Sequence, residues 1–274
     1  MEFSKTNNVF IIADDLGLHK SVNEGIFFAL KNGLINGASL MANSEAFDDA
    51  VIKLKELPSA NIGIHMVLVE EKSLLDKNNI PSLVDNNGLM HKNHRVFFIK
   101  YVLGLIKKKE IEKELEAQME KIINAGINPK FINSHQHLHL LPGIIDITIK
   151  LAKKYNIPYI RIVNESLVIG GRLTRKIQLL FLRILSSLAA KKIKKNNLIC
   201  NDAFVGFLNA GNLKNADIAH SFNLIDKNPH WHLELGCHPG FEDGEGIAKY
   251  AHWKYNWEKE LDLLKKVTPK NKDA

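Results

Sequence analysis

Thiols are scarce in this chain: Cys200 and Cys237 are the only cysteines among 274 residues. Two are too few for a disulfide framework at this length, which excludes an oxidised, disulfide-stapled scaffold. Long apolar runs are missing as well. No stretch approaches the roughly 18 apolar residues a membrane-spanning helix needs. The short run Val9 to Ala13 leads straight into two aspartates without a small-residue cleavage site, so it does not read as a signal peptide. There is no internal repeat and no low-complexity linker, which leaves a single domain, 1–274, as the expectation. A reducing cytoplasm is the expected compartment.

Acidic residues are absent from one long segment. Between Ser166 and Asn201 there is no Asp or Glu, whereas Arg172, Arg175, Lys176, Arg183, Lys191, Lys192, Lys194 and Lys195 supply eight positive charges. Subtracting these from the chain's formal +7 leaves −1 for the rest, so the positive charge is concentrated here. At a helical period, Leu173, Ile177, Leu180, Ile184 and Leu188 cluster on one side and Arg172, Lys176 and Arg183 on another, with Leu179 and Leu182 off the main stripe. Segment 166–201 is therefore expected as a basic amphipathic insertion. It would either pack on the domain with its charged face solvated, or lay its apolar residues into a bilayer interface with its cations at anionic headgroups. Nucleic acid is not an expected partner, because Phe181 is the segment's only aromatic and no nucleic-acid module is recognisable.

What is abundant is alternation. Strands are expected at Val9 to Ala13, Ala38 to Ala42, Ile62 to Val69, Phe131 to Leu138, Tyr159 to Val163 and Leu233 to Cys237. Between them fall helical patterns from about Ser21, over Ile111 to Ile123, Gly143 to Tyr155 and His252 to Lys266, with a long loop from Ser73 to His94. This is the signature of a parallel α/β fold, here a distorted TIM-like β/α barrel.

The polar residues fall at informative places on that alternation. Asp14 and Asp15 follow the first strand, His65 lies near the end of a later one, and Arg161 and His238 lie late in two more. Residues 133–139 read Asn-Ser-His-Gln-His-Leu-His, so an extended strand would present His135, His137 and His139 on one face. The C-terminal strand ends of such barrels carry the active site, so these residues can converge although they are distant in sequence. Imidazoles and carboxylates together point to a metal-dependent hydrolase. Taken singly, each signal has a bland counterpart: paired aspartates cap helices, a lone histidine sits satisfied in a core, and Arg161 forms a structural ion pair.

Four motifs carry a family resemblance. Ala13-Asp14-Asp15-Leu16-Gly17, Gly63-Ile64-His65, Ser134 to His139 with Leu141-Pro142, and Cys237-His238-Pro239-Gly240 resemble, in order, the motifs of the YdjC-like carbohydrate deacetylases. The likeness runs from about Asn8 to Phe241; Leu16 stands where the family usually has Phe, and the polar Asn and Thr of many relatives are missing after His65. The resemblance implies hydrolysis of an acetamido group on a sugar, with Asp15, His65 and His135 binding one divalent metal (Mg or Zn) and Asp14 as general base. Amide hydrolysis needs an activated water and a stabilised oxyanion, both of which a metal with open positions supplies. His238 is the candidate proton donor to the departing amine, and His137, His139 and Arg161 are the candidate substrate contacts. Val67-Leu68-Val69-Glu70, the Ile80 to Gly88 loop, and Asn201-Asp202 with Phe204 and Gly206 look closest to the branch associated with hopanoid lipid biosynthesis. This makes an N-acetylated sugar on a glycolipid the favoured substrate and the inner membrane surface a candidate contact for 166–201. The alternatives are a deacetylase of soluble chitooligosaccharides, a metal-dependent hydrolase of another bond such as an ester or phosphoester, and a non-catalytic glycan-lipid binding protein. Oligomeric state is left open.

Overall fold

Strands buried on both faces read as mostly apolar runs, and the seven strands of the computed structural model do so apart from the polar residues that serve the site. The structure describes residues 8–167, 170–242 and 247–267. The strands are β1 (Val9–Leu16), β2 (Gly37–Leu40), β3 (Asn61–Met66), β4 (Phe131–Ser134), β5 (Tyr159–Ile160), β6 (Ala203–Val205) and β7 (Leu233–Cys237). They form one all-parallel sheet in the order β5-β4-β3-β2-β1-β7-β6. The chain thus steps from β1 outward to β5, then crosses to the other side of β1. The sheet curls so that its two edges approach: Phe204 N–H donates to the Asn164 carbonyl at 3.1 Å, and the Asn201 side chain bonds both the N–H and the carbonyl of Ile162. The result is a curled half-barrel with helices outside, a distorted TIM-like barrel.

Helices make the crossovers: α1 (Lys20–Lys31), α2 (Phe47–Leu54), α3 (His94–Val102), α4 (Lys108–Asn124), α5 (Ile144–Lys154), α6 (Leu173–Lys195), α7 (Asn215–Lys227) and α8 (Trp257–Val267). The first begins slightly earlier than Ser21, because His19 takes the cap position and its ring nitrogen accepts from Ser21 N–H. The last begins at Trp257, since Ile247–Trp253 is a separate 3-10 helix.

Four expected strands end early, at Leu40, Met66, Ser134 and Ile160, and the early end at Ser134 has consequences for the histidines. β4 ends at Ser134, and His135–Leu140 forms a 3-10 helix in which Gln136 and His137 have φ of 56° and 55°. The Ser134 hydroxyl anchors this turn by accepting the His139 N–H at 3.0 Å. The alternate-face argument for three aligned imidazoles therefore fails, because the period of two ends where the strand ends.

Segment 166–201 supplies the β5-to-β6 crossover. Its helix α6 packs inward with Leu179, Leu185, Ser186, Ala189 and Ile193. Burying a leucine side chain of this kind contributes about 1.5–3 kcal/mol. The stripe Leu173, Ile177, Leu180, Ile184 and Leu188, the more regular of the two apolar rows, is 49–74 % exposed.

Candidate functional site

Neighbouring residues on a strand face opposite ways, so Asp14 and Asp15 should not both reach one cavity. The end of β1 breaks that rule. Its register against β2 shifts between Ala13 and Leu16, and Asp15 adopts a left-handed φ of 63°. Such a conformation costs a non-glycine residue about 1–3 kcal/mol and persists only where its surroundings enforce it. Here it brings both carboxylates to the same cavity, with His65, His135, His137 and His238.

The hydrogen-bond network settles which ring nitrogens are free. Register pairs His65 on β3 with Asn133 on β4, and His65 Nδ1 lies 2.7 Å from Asn133 Oδ1. The Asn133 amide group donates its Nδ2–H to Asp14 Oδ1 at 2.9 Å, so its Oδ1 must accept from His65 Nδ1–H. That leaves His65 Nε2 with a bare lone pair, 3.2 Å from Asp15 Oδ1. His135 repeats the pattern: its Nε2 meets the Glu70 carboxylate at 3.0 Å, and its Nδ1 lies 3.2 Å from Asp15 Oδ1. Despite burial, the hydrogen bonds its ring donates to Asp15 and Glu70 push the pKa of His135 up to about 10 when nothing but protons is available.

Three acceptors thus face one another inside the protein. Asp15, His65 and His135 each offer a ligand atom, all within 4.8 Å of one another, and all three residues are buried. Asp15 Oδ2 and His65 Nε2 find no hydrogen-bond partner among the described residues. Unpaired buried acceptors are costly, and a divalent cation relieves these two while taking the place of the proton that His135 Nδ1 shares with Asp15. Two imidazoles and a carboxylate are also a donor set that zinc-like metals use with positions left open. The residues fit a metal, and Glu70 behind His135 and Asn133 behind His65 are the outer partners that such ligands normally have.

Asp14 is held differently. It accepts from Ser39 Oγ at 2.8 Å and Asn133 Nδ2 at 2.9 Å on Oδ1, and from Arg161 on both oxygens, at 2.9 and 2.5 Å. Burial alone would raise its pKa, but the Arg161 guanidinium outweighs this and holds the carboxyl well below the usual range. Arg161 is itself fully buried and also pairs with Glu234 on β7 at 2.5 Å. Among the described residues Asp14 Oδ2 accepts only from Arg161 and keeps a lone pair.

His238 closes the cavity at the end of β7. Its backbone N–H donates to Glu260 at 2.6 Å, its ring packs on Tyr255 at 4.6 Å, and its Nε2 lies 4.0 Å from Asp15 Oδ2. The following turn is pressed onto α1: a Cβ added to Gly25 would lie 2.4 Å from Gly240 Cα, so the helix needs glycine there.

Comparison with known proteins agrees with this geometry. The family model described as YdjC-like protein matches residues 8–271. The chain belongs to the YdjC-like family. It is 29 % identical over 255 residues to a carbohydrate deacetylase of Clostridium beijerinckii, covering 92 % of this chain and 89 % of that one. A carbohydrate deacetylase of Oceanobacillus iheyensis is 29 % identical over 93 % of this chain and 95 % of its own. One from Geobacillus stearothermophilus reaches 37 %, over 53 % of this chain and 56 % of its own. Among solved structures, an Enterococcus faecalis protein described as a cellobiose-phosphate cleavage protein superposes with a TM-score of 0.70 at 22 % identity, over 93 % of this chain and 89 % of that one, which shows the fold.

Within this YdjC-like site, not every expected residue reaches the cavity. Asp14, Asp15, His65, His135, His137 and His238 do; His139 and Arg161 do not. His139 donates from Nε2 to the Arg161 carbonyl at 2.9 Å and accepts from the Ser134 hydroxyl at 2.6 Å, and burial pushes its pKa down to about 4. Both ring nitrogens are spent on structure. His139 and Arg161, expected as substrate contacts, lie behind the cavity lining and brace it. The cation that does line the cavity is Arg175 from α6, seated over the Phe207 ring at 4.1 Å with Nη2 bonded to the Phe207 carbonyl at 2.6 Å.

Sequence reasoning missed Ser39, Glu70, Asn133 and Glu234. Three of them had a signal: Ser39, Asn133 and Glu234 are polar residues inside short strands that are otherwise apolar and wholly buried. Such a residue must have a buried partner.

Proposed function

We propose that this protein is a metal-dependent carbohydrate N-deacetylase that removes the acetyl group from an N-acetylated amino sugar carried on a lipid. The observation that carries the reading is the convergence of Asp15, His65 and His135, with Asp15 Oδ2 and His65 Nε2 unpartnered among the described residues, beside the ionised Asp14, in a chain whose relatives are carbohydrate deacetylases. One divalent ion is the cofactor, with zinc favoured over magnesium by the two imidazoles. When bound, the ion acidifies water and polarises the acetyl carbonyl.

The remaining work falls to side chains. Asp14, kept as a carboxylate by Arg161, takes a proton from the attacking water through Oδ2. The water oxygen bonds to the acetyl carbon, the C–N bond breaks, and acetate and a free amine leave. The amine needs a proton, and His238 supplies it. Burial outweighs the pull of Asp15 and Asp14 and holds His238 below the ordinary imidazole value, and negative charge developing on the substrate offsets part of that loss. His137, whose Nδ1 is buried without a partner among the described residues, and Arg175 hold the sugar, with Phe207 as the apolar wall.

A lipid-linked sugar, of the hopanoid-like kind, is supported by the apolar run Met66 to Val69 directly after His65, and by α6, which lends Arg175 to the cavity while exposing an apolar stripe. The test is acetate release from an N-acetylglucosaminyl lipid and from chitobiose, with and without chelator, against Asp14→Ala. Chelator-sensitive release from the lipid that the variant loses supports the proposal. Preference for chitobiose rejects the lipid-linked substrate, and no release from the metal-loaded protein rejects the deacetylase.

A further inference from the structure

Six apolar side chains stand exposed along α6: Leu173, Ile177, Leu180, Phe181, Ile184 and Leu188. A second, shorter apolar face is exposed beside them. On α3 and the turn after it, Phe98, Ile99, Val102, Leu103 and Leu105 are 36–67 % exposed. The two faces are continuous, because the Phe98 and Phe181 rings meet edge-on with centroids 5.7 Å apart. Together they hold eleven of the seventeen large apolar side chains exposed among the described residues. Scattered exposure of this kind is ordinary, but concentration on one surface marks a docking site.

Charge identifies the occupant. Residues 86–109, which contain α3, lack Asp and Glu as completely as 166–201 do, and carry Lys92, Arg95, Lys100, Lys107, Lys108 and Lys109. The two stretches hold fourteen positive charges, and subtracting them from the chain's +7 leaves −7 elsewhere. Arg175 turns into the cavity, and Lys192 and Lys107 pair with Asp146 and Glu110, but the excess on these stretches remains positive; a second copy docked on the same face would set like charge against like, whereas anionic headgroups match it. We infer that α3 and α6 together form a docking surface for an anionic lipid bilayer, with the apolar side chains in the interface and the cations at the headgroups. The surface lies beside the site: α6 carries Arg175 into the cavity, and His94 at the start of α3 lies within electrostatic reach of Glu70 and Arg175. A docked molecule would hold its cavity next to the headgroup layer, where the sugar of a glycolipid stands. This inference deepens the lipid-linked substrate reading and rests on it.

The test is co-sedimentation of the full chain with vesicles of phosphatidylcholine alone or mixed with phosphatidylglycerol. Three exposed-face variants accompany it: Ile177→Ser with Ile184→Ser on α6, Val102→Ser with Leu103→Ser on α3, and Arg183→Glu. Binding is expected only to the phosphatidylglycerol vesicles and is expected to fall with salt. Each apolar pair should weaken it several-fold, and Arg183→Glu should weaken it at least about five-fold, the equivalent of ~1 kcal/mol per charge at an anionic surface. Acetate release from a soluble N-acetyl sugar should be unchanged in all three. Absence of vesicle binding overturns the inference while leaving soluble turnover, and so the deacetylase, intact. Binding that the α3 pair does not weaken overturns the two-helix surface. A dimer in sedimentation equilibrium that the same substitutions dissociate makes the occupant a second copy and overturns it too.

Discussion

Replacing Arg161 by methionine should destabilise this protein far more than an ordinary arginine substitution. The side chain is fully buried, and its guanidinium bonds Asp14 at 2.5 and 2.9 Å and Glu234 at 2.5 Å. Methionine of similar length fills the space but strands two buried carboxylates. Removing one partner of a buried ion pair costs about 3–5 kcal/mol, against a total stability of about 5–15 kcal/mol. The loss should also depend on pH in a particular direction. In the native protein Asp14 titrates below its ordinary value of 3.8, so its contribution is present above that value and fades as pH falls further. Without Arg161 the desolvation that already opposes ionisation dominates, the folded pKa rises above the unfolded one, and the variant then gains relative stability as pH falls toward that range. Urea unfolding followed by tryptophan fluorescence, at about pH 7 and about pH 5.5, measures both effects. The difference between native and variant should shrink at the lower pH, and Asp14→Asn added to Arg161→Met should recover part of the loss, a coupling of about 0.5–3 kcal/mol. A loss under about 1 kcal/mol, or one independent of pH, would refute the view that Arg161 is there to hold these carboxylates ionised.

Glu70→Gln should weaken metal retention by about 10–100-fold without unfolding the protein, measured by competition with a chelating dye, because Glu70 fixes the orientation of His135; unchanged affinity would remove Glu70 from the site. Asp15→Asn and His65→Ala should each abolish stoichiometric metal in elemental analysis of the purified protein, and metal retained at full occupancy by either would displace the ligand assignment. On α6, Leu185→Ala should cost about 2–5 kcal/mol in urea unfolding, whereas Ile184→Ala, one residue away, should stay within about 0.5 kcal/mol. The opposite ranking would mean that the helix packs through its other face.

The strand alternation and the convergence of Asp14, Asp15, His65, His135 and His238 were legible because each depends on a local pattern: an apolar run followed by a polar residue at its end. What was not legible is what happens when the run stops. The left-handed turn at Asp15 that lets adjacent aspartates share a cavity, and the break at Ser134 that separates three alternate histidines, are tertiary outcomes at non-glycine positions where sequence offers no cue. The support behind the ligands was only half visible. Asn133 and Glu234 announce themselves as polar residues in buried strands, but Glu70 sits on a loop and meets His135 only through the fold. Arg161 was visible and its direction was not, since an arginine late in a strand points into the barrel layer or out to the cavity according to a register that one chain does not reveal.

The same distinction explains α6. Periodicity finds the most regular apolar row, Leu173 to Leu188, and the ordinary inference is that the best row packs inward. In the fold the imperfect row packs instead, through Leu179, Leu185, Ala189 and Ile193, with Ser186 bonded to both the N–H and the carbonyl of Val163. A helix with two apolar faces has satisfied its own protein with one of them, so the second is available for something else. Folding does not account for keeping five large side chains, each about half or more exposed, on a regular stripe. An acid-free sequence on both helices that share this surface, with Arg175 reaching from one of them into the cavity, ties that spare face to the site rather than to stability.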